Sequence, residues 1–283
     1  MRLVLWLALA ISLALGVLSA DRAIGATSVP LQQPPAPAQP PRAAAEQVPP
    51  AAPSAAPSSK VWIGRYVEYE KFLRTAVIDR TTVIGTTLRV FFKPGGLAAS
   101  AALKRDGYKL EIAGYKFDRV LKLDMVPPTV EVRYKGEMAA LALWVLNIRM
   151  LKELNEQNSR APDPIKWTYQ LNRMYAFEDL VANLDENEGS PIVDPQWNLI
   201  VLDHSIAFTK TLAQPYEIGK RLNQIDRPFF DRIKALDKAT VKRAIGDLVD
   251  AGALEALFAR RDNIVQAFEK LAAQNGAGQV FTP

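Results

Sequence analysis

Residues 97–121 read LAASAALKRDGYKLEIAGYKFDRVL, and the change of period inside this stretch decides the fold. LAASAALK is an apolar run that ends at Lys104, and the run LRVFFK precedes it across the turn Pro94-Gly95-Gly96. Two such runs across a Gly-Gly turn predict an antiparallel hairpin. After the Asp106-Gly107 break, Leu110, Gly114, Phe117 and Leu121 recur every three or four residues, which predicts an amphipathic helix ending before Pro127-Pro128. TVEVRY and AALALWV flank Lys135-Gly136 as a second hairpin. Upstream, FLRTAVI from Phe72 reads as another strand, closed by the break Gly85-Thr86-Thr87. The first half is therefore strands, one helix and more strands.

Beyond Trp144 the period is helical. NIRMLKELNEQ is one helix, and KWTYQLNRMYAFEDLVANL, after Pro162 and Pro164, is a second with Leu171, Met174, Phe177, Val181 and Leu184 on one side. It runs into the polar loop 185–190. A short hairpin follows, with Pro191 to Asp194 against Leu199 to Leu202, and ends at Asp203-His204. The rest reads as three or four helices, with Asp226 and Asp237 as N-caps and an amphipathic last helix over 253–273. The fold class is α+β, with a β-rich N-terminal lobe over 60–146 and a mainly helical C-terminal lobe over 147–283.

Composition narrows the chemistry. The chain has 283 residues, 49% hydrophobic and 23% charged, enough for a full core. Its net charge of +5 includes no basic run, so nucleic acid is not an expected partner. With no cysteine and only His204, disulfide scaffolds, thiolate zinc sites and multi-histidine metal sites are excluded. Residues 3–20, LVLWLALAISLALGVLSA, are uncharged and apolar behind Arg2, so 1–26 reads as a signal peptide or a single membrane anchor. Residues 27–59 hold 10 Pro and 9 Ala, the composition of an extended spacer. The expected location is outside the cytoplasm: periplasm, envelope or extracellular space, with membrane attachment where 3–20 is retained.

A strand ending in lysine, a helix carrying glutamate, a helix-to-loop junction with aspartate and a hairpin ending in a second aspartate follow one another in an informative order. Phosphoryl transfer asks a protein for a held cation on the phosphates and for carboxylates that take magnesium and orient a hydroxyl. Lys104, Glu111, Asp185 and Asp203 supply these in that order. Lys93, at the close of LRVFFK, competes with Lys104 for the cation's role. Asp203 has the clearest local case, because it follows the apolar run Leu199 to Leu202, where a buried strand ends.

YKLEIAGYKFDRVLKLDMVPPTVEVRY, FEDLVANLDENEGSPIVDPQWNLIVLDHSIAF and LFARRDNIV resemble a family of atypical kinase-like proteins related to HipA toxin kinases, phosphatidylinositol 3- and 4-kinases and secretory-pathway Fam20-type kinases. The resemblance covers most of residues 70–270. It implies a two-lobed protein-kinase-like fold and transfer of the ATP γ-phosphate to a hydroxyl of a protein, sugar or lipid, with magnesium or manganese. It also implies Lys104 and Glu111 as the phosphate-binding pair, Asp185 as the catalytic aspartate, Asp203 as a metal ligand and Gly85-Thr86 in the phosphate-covering loop. Such proteins carry Asn-x-Asp-Arg-x-x-Gly-Asn in the catalytic loop. Here Glu186 stands in place of the arginine and Ser190 in place of the metal-binding asparagine, so Ser190 is the expected second metal ligand. These departures keep a second reading open, a catalytically silent pseudokinase that serves as a nucleotide-binding or scaffold module in the envelope.

Several residues have plainer expectations. His204 is expected to be a packed neighbour, Asp194 and Asn198 to flank a turn, and Arg260-Arg261 to lie on a solvated face. Trp144 and Trp167 are expected in the core, Trp144 near the link between lobes, where such a fold holds adenine against apolar side chains.

Overall fold

The computed structural model describes residues 59–85, 87–184, 191–214, 216 and 218–283. The expected signal or anchor and nearly all of the spacer lie outside the described residues, as do Thr86, Asp185, Glu186 and Ser190. The described residues group as one compact unit. Among the described residues no helix is long and apolar enough to cross a membrane.

The first element corrects an expectation. Helix α1 spans Tyr66–Thr75, so Phe72 to Thr75 close a helix and do not open a strand. Tyr69 and Leu73, four residues apart, bury one side of it, and Glu70 pairs with Arg74 at 3.2 Å on the other. The chain turns extended only at Ala76, the C-cap. The strand signal of Val77 and Ile78 therefore belongs to β1, Ile78–Ile84.

Strands β2 (Thr87–Phe92) and β3 (Ser100–Lys104) form the expected hairpin. Helix α2 covers Tyr108–Leu121, and β4 (Thr129–Tyr134) with β5 (Glu137–Leu143) forms the second hairpin. The antiparallel sheet runs β1-β2-β3-β5-β4. Register pairs Val90 with Ala101, Ala101 with Leu143, and Leu103 with Leu141. That face packs with Trp62, Tyr69 and Leu73 into one apolar core. Lys104, one residue past Leu103, projects to the opposite face by strand alternation.

The second half is mainly helical. After β6 (Arg149–Met150) come α3 (Leu151–Glu156) and α4 (Pro164–Val181). Asp163 caps α4 by accepting from the N–H groups of Ile165 and Lys166, with Pro164 in the first turn, where it forfeits no bond. The hairpin β7 (Ile192–Val193) and β8 (Leu199–Ile200) is antiparallel. Strand β9 (Ile225–Asp226) leads to α5 (Arg227–Lys234), α6 (Lys238–Ile245), α7 (Ala251–Asn275), α8 (Ala277–Val280) and β10 (Phe281–Thr282), which pairs in parallel with β9. Asp226 and Asp237 cap α5 and α6, accepting from Phe229 and Thr240 N–H. A second core joins Phe117 and Leu121 of α2 to Phe177 and Leu180 of α4 and to Phe229, Ile264 and Phe268.

Arg260 overturns the expectation of a solvated face. Its side chain is fully buried, and the guanidinium donates to the carbonyls of Leu180, Thr209 and Thr211 at 2.9, 3.1 and 2.6 Å. The reason is local: the last carbonyls of a helix have no partner within it, and Leu180 lies in the final turn of α4. A planar fork with five donors can satisfy such a carbonyl together with two from an irregular segment. Arg261 also bonds inward, donating to Leu236 O at 2.7 Å.

Candidate active site

Lys104 ends β3 on the face away from the aliphatic core, and Glu111 stands in the first turn of α2. Lys104 Nζ lies 2.6 Å from Glu111 Oε1 and 3.0 Å from Asp203 Oδ1, so one ammonium bridges two carboxylates. The Glu111 side chain is 6% exposed and that of Asp203 42%. The inner carboxylate thus holds the lysine, and the outer one remains reachable from solvent. Lys93 is exposed at the far end of β2, and the structure does not bring it to this cluster.

The charges settle one another. Burial works against the Lys104 ammonium, but the neighbouring Glu111 and Asp203 more than offset it and hold its pKa above the ordinary lysine value. Burial also opposes the charge of Asp203, yet Lys104 and the Ser205 hydroxyl hold its carboxyl below the usual range. Burial pushes Glu111 up, with Lys104 pulling the other way.

The loop Asp203-His204-Ser205 is wedged under α2. Gly107, the α2 N-cap, has φ +62°, and a Cβ there would stand 2.3 Å from Ser205 O. A Cβ on Gly114 would stand 2.6 Å from His204 Cγ. Two glycines therefore let the helix that carries Glu111 sit directly on the loop that carries Asp203. Asp203 itself has φ +65°, a left-handed conformation that aspartate tolerates better than most side chains. Ser205 Oγ donates to its Oδ1 at 2.9 Å, and Asn183 Nδ2 donates to its carbonyl at 3.3 Å.

His204 is a packed neighbour, as expected from its sequence context. It is fully buried, its ring meets Phe177 edge to face at 5.6 Å, and its Nε2 is 3.8 Å from Glu178 Oε1, too long for a hydrogen bond. Burial and the Lys104 charge lower its pKa to about 4, so it is neutral at physiological pH.

Gly85 lies in the β1–β2 turn with φ +57°. Asp185, Ser190 and Thr86 lie outside the described residues. Asn183, two residues before Asp185, joins the site through its bond to the Asp203 carbonyl, and the signal for it in the sequence is its place at the first position of the Asn-x-Asp pattern. The close approaches that Gly107 and Gly114 permit, to Ser205 and His204, carry no signal in the sequence, where Gly114 reads only as one position of the helical period.

Among the described residues no group of three or more His, Asp or Glu side chains could hold a metal. The Lys104 cluster does present a partly exposed oxygen donor, Asp203, beside a cation suited to phosphate oxygens. That chemistry fits a divalent metal carried with a nucleotide, because hard cations in such sites take few protein ligands and complete their shell with phosphate.

No protein-family model and no curated protein matches the sequence. Solved structures do match. The crystal structure of the Golgi casein kinase has a TM-score of 0.56 at 11% identity, covering 76% of this chain and 78% of that one. Its form with Mn/ADP bound gives 0.55 at 12%, with the same coverage of 76% and 78%. Hydra Fam20 with sugar gives 0.53 at 15%, covering 76% of this chain and 91% of that one. At such identities the likeness is one of fold, and the chain is an α+β protein with the two-lobed fold of the Fam20-type atypical kinases.

Proposed function

We propose that the chain is a metal-dependent phosphotransferase that acts outside the cytoplasm, moving the γ-phosphate of a nucleoside triphosphate, ATP or another purine nucleotide, to a hydroxyl of a protein, sugar or lipid. The observation that carries this reading is the Lys104 ammonium bridging Glu111 at 2.6 Å and Asp203 at 3.0 Å. A solvent-facing aspartate next to a held lysine is the pairing that a phosphate with its divalent ion requires. The Mn/ADP complex of the Golgi casein kinase supports nucleotide and divalent metal as the ligand class.

In this reading Lys104 neutralises phosphate oxygens, and Glu111 keeps its ammonium in place. Asp203 and Ser190 take the metal, magnesium or manganese, which would supply charge neutralisation on the phosphates. Asp185 orients the substrate hydroxyl and receives its proton. The apolar stretch 3–20 directs export and, where retained, tethers the chain to a membrane. Glu186 and Ser190 favour the second reading, a silent nucleotide-binding module, because a carboxylate beside the phosphates and a hydroxyl in place of a carbonyl donor both weaken metal and phosphate binding.

Thermal stabilisation of the purified chain by ATP with magnesium or manganese, lost in Asp203→Ala, tests the site. Phosphate release or autophosphorylation that vanishes in Asp185→Ala selects the enzyme. Binding without turnover, in the wild type and in Ser190→Asn alike, selects the silent module. No nucleotide effect with either metal overturns the proposal.

A further inference from the structure

The face of the sheet that carries Lys104 holds a second cation, Arg89, near the point where the chain crosses to the helical region. Register pairs Arg89 with Ala102, Ala102 with Ala142, Phe91 with Ser100 and Lys104 with Ala140. Since residues two apart share a face, Arg89, Phe91, Ser100, Ala102, Ala142 and Trp144 lie on the side of Lys104. Trp144 follows β5, and its N–H donates to Ser100 O at 3.2 Å. It stands four residues along from Ala140, the partner of Lys104, which at 3.4 Å per residue is about 14 Å.

The Arg89 guanidinium lies 4.3 Å from the Trp144 ring centroid and 4.7 Å from that of Phe91. Its Nε and Nη2 both donate to Ser100 Oγ, at 3.1 and 3.0 Å, and Ser100 is only 2% exposed. The fork is therefore anchored to a buried hydroxyl and laid on an indole. Arg80 stands 3.9 Å over the same Phe91 ring. Among the described residues neither arginine pairs with a carboxylate, and Arg89 Nη1 has no hydrogen bond. A fixed guanidinium without a counter-ion, with donors to spare, suits a ligand group that brings acceptors and no donor.

We propose that Arg89, backed by Trp144, is the base-recognising side chain of this site, and that it takes a purine through carbonyl and ring-nitrogen acceptors, favouring guanine over adenine. The inference rests on the phosphotransferase reading, because it places the phosphates at Lys104 and the base at the other end of the same sheet face. A guanidinium only donates. Guanine offers O6 and N7 side by side as acceptors for such a fork, whereas adenine sets an amino donor where O6 would be. The usual apolar seat for adenine is here filled, since the guanidinium already covers the indole.

The test measures thermal stabilisation of the full chain by GTP, ITP, ATP and tripolyphosphate, each with magnesium and with manganese. GTP and ITP, which share O6 and N7, are expected to bind tenfold or more tightly than ATP, the size of one bidentate guanidinium contact. Arg89→Leu and Arg89→Lys should both erase that preference, the lysine because it lacks the planar fork, while tripolyphosphate binding stays unchanged. ATP binding as tightly as GTP, or a guanine preference that survives both variants, overturns the inference. Stabilisation by tripolyphosphate with no difference among bases removes the base site and leaves the phosphate site standing. No effect of any phosphate ligand removes both readings together.

Discussion

Gly114 of α2 lies against the imidazole of His204, so close that a β-carbon would stand 2.6 Å from Cγ and 2.8 Å from Nδ1. This contact sets the height of α2 above Asp203, and with it the meeting of Glu111, Lys104 and Asp203. Gly114→Ala is expected to destabilise the chain by about 1–3 kcal/mol, since the clash meets a ring held on both sides. It should also weaken nucleotide binding. The double variant Gly114→Ala/His204→Ala removes the obstructing ring and should recover part of that binding, as read by thermal shift and nucleotide titration. Binding equal to wild type in Gly114→Ala would show that the contact does not position the cluster.

Two buried groups tie stability to pH in opposite senses. Burial and the Lys104 charge hold His204 down at about 4, against 6.5 when unfolded. Between those values the unfolded chain binds a proton that the folded chain refuses, so His204 removes stability as pH falls from 6.5 to 4, on the order of 3 kcal/mol. Burial pushes the Asp118 carboxyl up to about 7 from 3.8, although the Met125 and Val126 N–H groups donate to its Oδ1 at 2.9 and 3.2 Å. Its contribution is fully present below 3.8 and is lost as pH rises through 7. Urea midpoints from pH 4 to 7 should therefore move in favour of His204→Leu, relative to wild type, as pH falls, and in favour of Asp118→Asn as pH rises. Parallel curves for wild type and variant would contradict either assignment.

Arg260→Met is expected to cost about 3 kcal/mol, because it strands the buried Leu180 carbonyl and takes the donor from the part-buried Thr209 and Thr211 carbonyls. Arg260→Lys should recover little, since a single ammonium cannot span acceptors on two segments. Amide exchange around residues 209–214 should accelerate in both variants. A Lys variant as stable as wild type would show that charge alone suffices.

At the N-terminal edge of the described residues, Ser59 N–H donates to Asp194 Oδ2 at 3.0 Å, Lys60 Nζ donates to Asp124 O at 2.9 Å, and Trp62 is fully buried. Limited proteolysis is expected to yield a stable fragment that begins near Lys60 and always retains Trp62. Trp62→Ala should cost about 3–5 kcal/mol. A stable fragment that starts after Trp62 would place the boundary of the fold elsewhere.

The order of elements was legible where local pattern and local geometry agree. Helix α2 occupies Tyr108–Leu121, as its three-to-four spacing implies, and Lys135-Gly136 turns β4 into β5. The Lys104–Glu111 pair follows from the same local logic, a strand end and the first turn of the next helix, seven residues apart. The segment FLRTAVI reads as one strand because Phe72, Leu73, Ala76, Val77 and Ile78 are apolar on both sides of Arg74-Thr75, and only packing of Tyr69 and Leu73 against the sheet decides where helix stops and strand starts.

By itself, then, the sequence determined the periods, the turns, the caps at Asp226 and Asp237, and the serial order of Lys104, Glu111 and Asp203, because each depends on neighbours within a few positions. Tertiary structure alone decided that Arg260 is buried, that Gly107 and Gly114 admit the Asp203 loop, that Lys104 also reaches Asp203, and that Arg89 lies on Trp144. Each of these joins residues from separate elements. No periodicity within one segment encodes how closely another segment will approach it, and that approach is set by the packing of the whole core.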